Sequence, residues 1–130
     1  EETGQVMVRP GKTVMVPVKI RVTDGIHIQA NPATLPNLIA TTITFQVKND
    51  IEPQAPAYPS GKPFRMQNSK IDLAVYEGAI EINVPLHATP AAKPGKYELT
   101  GEVKYQACND KICFFPRMDP LIVKVQVIKK

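Results

Sequence analysis

The sequence predicts a single all-β domain, and three observations carry that prediction. At 130 residues and 43% hydrophobic, the chain can bury a core without depending on crosslinks. Its 13 prolines against 7 glycines, with many Val, Ile and Thr, disfavour long helices and favour short strands joined by irregular loops. Apolar residues also recur at every second position in several stretches, the period of a half-buried strand.

Taken in order, the first such stretch places Val14, Val16, Val18, Ile20 and Val22 inward, with Met15, Pro17, Lys19 and Arg21 outward. The next gives Ile43, Phe45 and Val47 inward against Thr42, Thr44, Gln46 and Lys48. A third sets Ile80, Ile82, Val84 and Leu86 against Glu81, Asn83 and His87. A fourth begins after the turn Lys93-Pro94-Gly95, with Tyr97, Leu99, Val103 and Tyr105 on one parity and Glu98, Thr100, Glu102, Lys104 and Gln106 on the other. Leu121, Val123, Val125 and Val127, alternating with Lys124 and Gln126, close the series. Pro17 and Pro85 fall at outward positions, which points to edge strands or bulges there. Proline-rich loops are expected at Ala30 to Asn37 and at Ile51 to Phe64, the second long enough to be functional. With no repeat and no second composition zone, residues 1–130 read as one antiparallel β-sandwich of immunoglobulin type.

The net charge of +4 is dispersed, and the longest basic run is Lys129-Lys130. Nucleic-acid binding needs a clustered basic stripe, so that class is not expected. No apolar run approaches the roughly 18 to 20 residues that span a bilayer, and the chain opens on Glu1-Glu2 rather than a signal segment. The segment is therefore expected to be soluble and monomeric.

The only two cysteines, Cys108 and Cys113, lie in the stretch YQACNDKICFFP. Counting parity from Tyr97 puts Cys108 with the charged set, on the outer face of its strand, unless a bulge intervenes. The pair is too close in sequence to be an immunoglobulin inter-sheet disulfide. If residues 109–112 form a hairpin-like loop, the two cysteines face each other at cross-strand Cα separations of roughly 4.5 to 5.5 Å, which a disulfide accepts. So short a loop gives a disulfide only about 2 kcal/mol in the chain-entropy model, making it nearly redundant as a staple. An exposed disulfide in a tight loop is open to thiolate attack. Lys111 would favour a thiolate and Asp110 oppose one, while Tyr105, Phe114 and Phe115 are placed to shield the sulfurs. No metal is expected: zinc wants four ligands where two Cys and two scattered His are present, and Met7, Met15, Met66 and Met118 lack copper-ligand spacing. The residues alone leave a passive local disulfide, a working dithiol and, more remotely, a copper carrier as alternatives.

The stretch YQACNDKICFFP resembles the cysteine signature of the N-terminal periplasmic domain of the thiol:disulfide interchange protein DsbD and of related cytochrome c biogenesis reductases. The likeness extends to Asp24–Ala33 (DGIHIQANPA), Tyr58–Phe64 (YPSGKPF) and Val75–Leu86 (VYEGAIEINVPL), in the same order. The resemblance implies an immunoglobulin-like fold and a protein-disulfide reductase module without cofactor. Such a module takes electrons from a thioredoxin-like donor and a membrane-embedded domain and passes them to periplasmic disulfide acceptors, themselves thioredoxin-fold proteins. By the same resemblance Cys108 and Cys113 are the redox pair, with Cys113 forming the mixed disulfide and Cys108 resolving it. A cap loop is expected within Tyr58 to Asn68, with Phe64 as shield and Tyr58 as the alternative. His27 and Gln29, after the Asp24-Gly25 turn, are candidate neighbours of the disulfide, as are Tyr105 and Phe114. His27 is a candidate for acting on thiolate stability or proton transfer. The cysteine spacing, and Phe114-Phe115-Pro116 in place of a tyrosine or leucine followed by two prolines, depart from the family pattern and leave partner choice and redox potential open. A non-catalytic β-sandwich interaction domain with a structural disulfide is the alternative function.

Overall fold

The computed structural model describes residues 5–129, so Glu1-Glu2 and Lys130 lie outside the described residues. Within them run eleven strands: β1 (Gln5–Val8), β2 (Thr13–Arg21), β3 (His27–Gln29), β4 (Thr42–Phe45), β5 (Ile51–Pro53), β6 (Lys62–Phe64), β7 (Leu73–Tyr76), β8 (Ala79–Ala88), β9 (Gly95–Tyr105), β10 (Ala107–Cys108) and β11 (Arg117–Val127). They form three sheets, ordered β1-β11-β9-β4, β2-β8-β5 and β10-β3-β7-β6. The protein is all-β and sandwich-like, antiparallel except for β1, which runs parallel to β11.

The first two sheets enclose the core. Val16, Val18, Ile20, Ile82, Val84 and Leu86 come from one sheet, and Leu99, Val103, Leu121, Val123 and Val125 from the other. All belong to the alternating sets legible in sequence, because a period-two pattern survives only where one face is covered and the other wet. Gly101 allows β4 to approach β9 closely: Thr44 O and the Phe45 ring fill the space a Cβ would need.

Three expectations need correction. Val47 is 67% exposed rather than inward, because β4 ends at Phe45 and the chain turns through Asn49 and Asp50, both at positive φ. Pro17 does lie on an edge strand, β2, but Pro85 lies on β8, the central strand of its sheet, paired with Met15. The stretch from Ile51 to Phe64 is no uninterrupted loop, since β5 and β6 occupy its two ends.

The third sheet sits where the other two hand over their chains. β9, paired with β11, breaks at Gln106, and the chain resumes as β10, which pairs with β3 instead. β7 turns into β8 through Glu77 and Gly78, the glycine taking φ of 67°. Ile28 and Tyr76 from one face of this small sheet join the sandwich core. Its other face carries the cysteine.

Candidate functional site

Cys108 pairs with His27 across β10 and β3, and Ala107 with Ile28. Strand alternation therefore puts Cys108, His27 and Gln29 on one face, and Ala107 and Ile28 on the other, toward the core. The parity count identified the side of the strand, but the expected exposure is wrong: Cys108 is 0% exposed. The non-core face of this sheet is covered, not wet. Leu73 and Val75 of β7, also buried, share the covered side and stand outside the contiguous sandwich core. Together with Cys108 they form a small satellite cluster of the kind found beneath loops.

Two pieces of chain make the cover. One is the hairpin connection between β6 and β7. Phe64, at its start, stacks on the His27 ring with centroids 3.9 Å apart, and Met66 follows, its Sδ 3.9 Å from Cys113 Sγ. A disulfide sulfur has no hydrogen to donate, so the Met66 approach is a sulfur-to-sulfur packing contact. Arg65 Nε donates to Asp72 Oδ1 at 2.9 Å across the neck of this connection. The other piece is the cysteine loop. Its turn is built on Asn109, whose Oδ1 accepts from Lys111 N and Ile112 N at 2.8 Å each, while Asn109 N donates to Ile112 O. The two pieces are latched together: Gln67 N donates to Asp110 O at 2.8 Å and Gln67 Nε2 to Asp110 Oδ2 at 3.3 Å.

Cys108 and Cys113 are joined by a disulfide with a Cα separation of 3.9 Å. That is shorter than the expected cross-strand spacing, because the tight turn at residues 109–112 brings the two backbones together as an isolated bridge rather than a regular ladder. The two sulfurs differ in surroundings. Cys113 is half-buried on the loop beneath Met66, whereas Cys108 is enclosed and receives Gln29 Nε2 at 3.2 Å. Gln29 itself is 0% exposed. His27 Nε2 lies 2.9 Å from Glu77 Oε2, and Lys62 Nζ approaches the other Glu77 oxygen at 3.9 Å. The carboxylate thus accepts from Nε2, leaving Nδ1 as the ring's free atom, buried and without a partner.

Of the residues singled out in sequence, Cys108, Cys113, His27, Gln29 and Phe64 converge here. Tyr58 is placed elsewhere: its hydroxyl accepts from Ile43 N at 3.1 Å and its ring packs on the sandwich core. Tyr76 similarly pins the chain before β6, donating to Pro59 O at 2.8 Å and accepting from Asn31 N, and burial raises its hydroxyl pKa above the ordinary tyrosine value. Tyr105 points away from the disulfide, donating to Asp119 Oδ2 at 3.0 Å. Tyr105, Phe114 and Phe115 line a groove of about 400 Å³ on the core side of the loop, with Arg21 and Arg117 also in its walls. Phe114 is 40% and Phe115 91% exposed, so they border the disulfide loop rather than enclose it.

Sequence reasoning missed Met66, Gln67, Asp110's latch and Glu77. Met66 falls inside the expected cap region, but nothing in the sequence distinguished it from Phe64. Gln106 was also missed: its Oε1 accepts from Ile39 N and its Nε2 donates to Phe114 O, bracing the cysteine loop at the strand break. Among the described residues, no group of three or more His, Cys, Asp and Glu could hold a metal ion, and no helix is long and apolar enough to cross a membrane.

Residues 1–123 match the family model described as thiol:disulfide interchange protein DsbD, N-terminal. In three dimensions the chain is similar to the N-terminal periplasmic domain of ScsB from Proteus mirabilis, at 14% identity and a TM-score of 0.56, over 88% of this chain and 42% of that one. It is likewise similar to the Neisseria meningitidis DsbD N-terminal domain in the reduced form, at 15% identity and a TM-score of 0.55, over 85% of this chain and 77% of that one. At these identities the likeness speaks for the fold alone, and the chain spans less than half the ScsB domain. No curated protein matches it in sequence.

Proposed function

The chain belongs to the DsbD N-terminal domain family of thiol:disulfide interchange proteins, and from that premise we propose that it is a periplasmic exchange module that relays electrons through Cys108 and Cys113. The observation that carries the reading is the asymmetry of the disulfide: one sulfur half-buried on a loop, the other wholly enclosed. A thiolate attacks the sulfur it can reach.

In the accepting direction, the thiolate of a thioredoxin-fold donor attacks Cys113 Sγ. A bond forms between donor sulfur and Cys113, the Cys113–Cys108 bond breaks, and Cys108 leaves as a thiolate. The donor's second thiolate then attacks its own sulfur in the mixed disulfide, releasing Cys113 as a thiolate, which takes up a proton as Cys108 does. The donor leaves oxidised and the pair is a dithiol. In the delivering direction Cys113 attacks the acceptor's disulfide and Cys108 resolves the mixed disulfide, returning the pair to its oxidised form. Met66 stands over Cys113 in the oxidised chain, so each attack requires the β6–β7 connection to shift. Phe64 and Met66 together act as the cap that keeps other thiols out.

The experiment is an equilibrium with a thioredoxin-fold donor of known potential. The pair is expected to be reduced under native conditions, with a potential above the roughly −300 mV below which structural disulfides usually lie. A pair that resists the donor, or lies well below that value, would overturn the proposal.

A further inference from the structure

Among the described residues, three buried side-chain polar atoms have no hydrogen-bond partner: His27 Nδ1, Gln29 Oε1 and Thr89 Oγ1. Two of the three belong to β3, His27 directly opposite Cys108 and Gln29 the next residue along the same face. A buried orphan oxygen is costly, and leucine would fill much the same space without one. The compensating feature of Gln29 is its nitrogen, which lies 3.2 Å from Cys108 Sγ. The reversed amide would set oxygen against the sulfur lone pairs and bury the N–H donors instead.

A disulfide sulfur accepts hydrogen bonds weakly, whereas a thiolate accepts them strongly. The Gln29 donor is thus matched to the state Cys108 enters when the bond to Cys113 breaks, not to the state in which it now sits. Burial opposes that state, since it penalises a charged sulfur. The ionisable groups around the sulfur are His27 opposite it on β3, Glu77 and Lys62 on the far side of the His27 ring, and Asp110 and Lys111 in the loop. Asp110 is turned to Gln67 and Lys111 is exposed.

We infer that Gln29 is a catalytic residue of the exchange: its Nε2–H stabilises the Cys108 thiolate as leaving group and so directs attack to Cys113. The inference rests on the exchange reading above. When a donor thiolate bonds to Cys113, the electron pair of the broken S–S bond stays on Cys108 Sγ, and Gln29 holds that charge until a proton arrives from solvent.

The test titrates Cys108 alone, in a Cys113→Ala chain, by ultraviolet thiolate absorbance. Adding Gln29→Leu is expected to move the midpoint upward by about one pH unit, the worth of one charge-assisted hydrogen bond. In the chain with both cysteines, Gln29→Leu is expected to slow reduction by a thioredoxin-fold dithiol about tenfold. Because leucine here could impair folding, a second measurement uses the unaltered reduced chain: the Gln29 side-chain amide resonances should shift with the Cys108 titration. A folded Gln29→Leu chain with unchanged midpoint and rate, or amide resonances indifferent to that titration, overturns the inference. If the unaltered chain is not reduced by the donor at all, the exchange reading fails instead, and the titration still decides whether Gln29 holds a thiolate.

Discussion

The sandwich core and the covered face of the small sheet are both buried, yet they are built differently. The core is apolar, drawn from long strands held by continuous ladders such as β9–β11 and β2–β8. Among the described residues, the covered face holds only Leu73, Val75 and Cys108 as buried apolar groups, admits a wholly buried glutamine, and is roofed by Phe64, Met66 and a latch of two hydrogen bonds. Elements with few apolar contacts and exposed polar ties open at lower free energy than a packed core. The disulfide is thus kept where local opening is cheap and the fold does not depend on it.

That contrast can be broken first at its strong end. Leu86→Ala, at a site with no exposure, should cost about 2–5 kcal/mol of unfolding free energy. Its effect on the rate of disulfide reduction, measured where the variant is still folded, should be slight. A large change in that rate would mean that core and cap form one cooperative unit. Next, Met66→Ala removes the group over Cys113 and should speed reduction by a small dithiol severalfold while altering stability by no more than about 1 kcal/mol. Unchanged reactivity would show that Met66 does not gate the sulfur. The smallest effect is expected from Asp110→Ala, which deletes the 3.3 Å side-chain bond but leaves the 2.8 Å backbone bond from Gln67. It should cost about 0.5 kcal/mol or less and appear as faster amide hydrogen exchange at Gln67. A loss of global stability instead would place the latch within the core's cooperative unit.

The same contrast separates what was legible in the sequence from what was not. β2, β8, β9 and β11 were readable because each buries one face over many residues, so Val16, Val84, Leu99 and Val123 recur at the strand period. β3, β6 and β7 are too short for a pattern, and β7 is covered on both faces, with Val75 and Tyr76 adjacent and both buried. Parity gave the side of Cys108 correctly, but its burial depends on a hairpin far away in the chain. The Gln29–Cys108 contact joins residues 79 apart, and the Gln67–Asp110 latch residues 43 apart. Local periodicity carries no information at such separations. The family resemblance brought His27, Gln29 and Phe64 into consideration, while Met66, Gln67 and Glu77 emerged only from the packing.

The central claim is that the two sulfurs have fixed and different roles, and it is tested most directly by trapping. A thioredoxin-fold donor lacking its second cysteine should stall as a mixed disulfide with the oxidised chain, and peptide mapping should place the bond at Cys113 with Cys108 free. A bond at Cys108, or an even split between the two, would contradict the account.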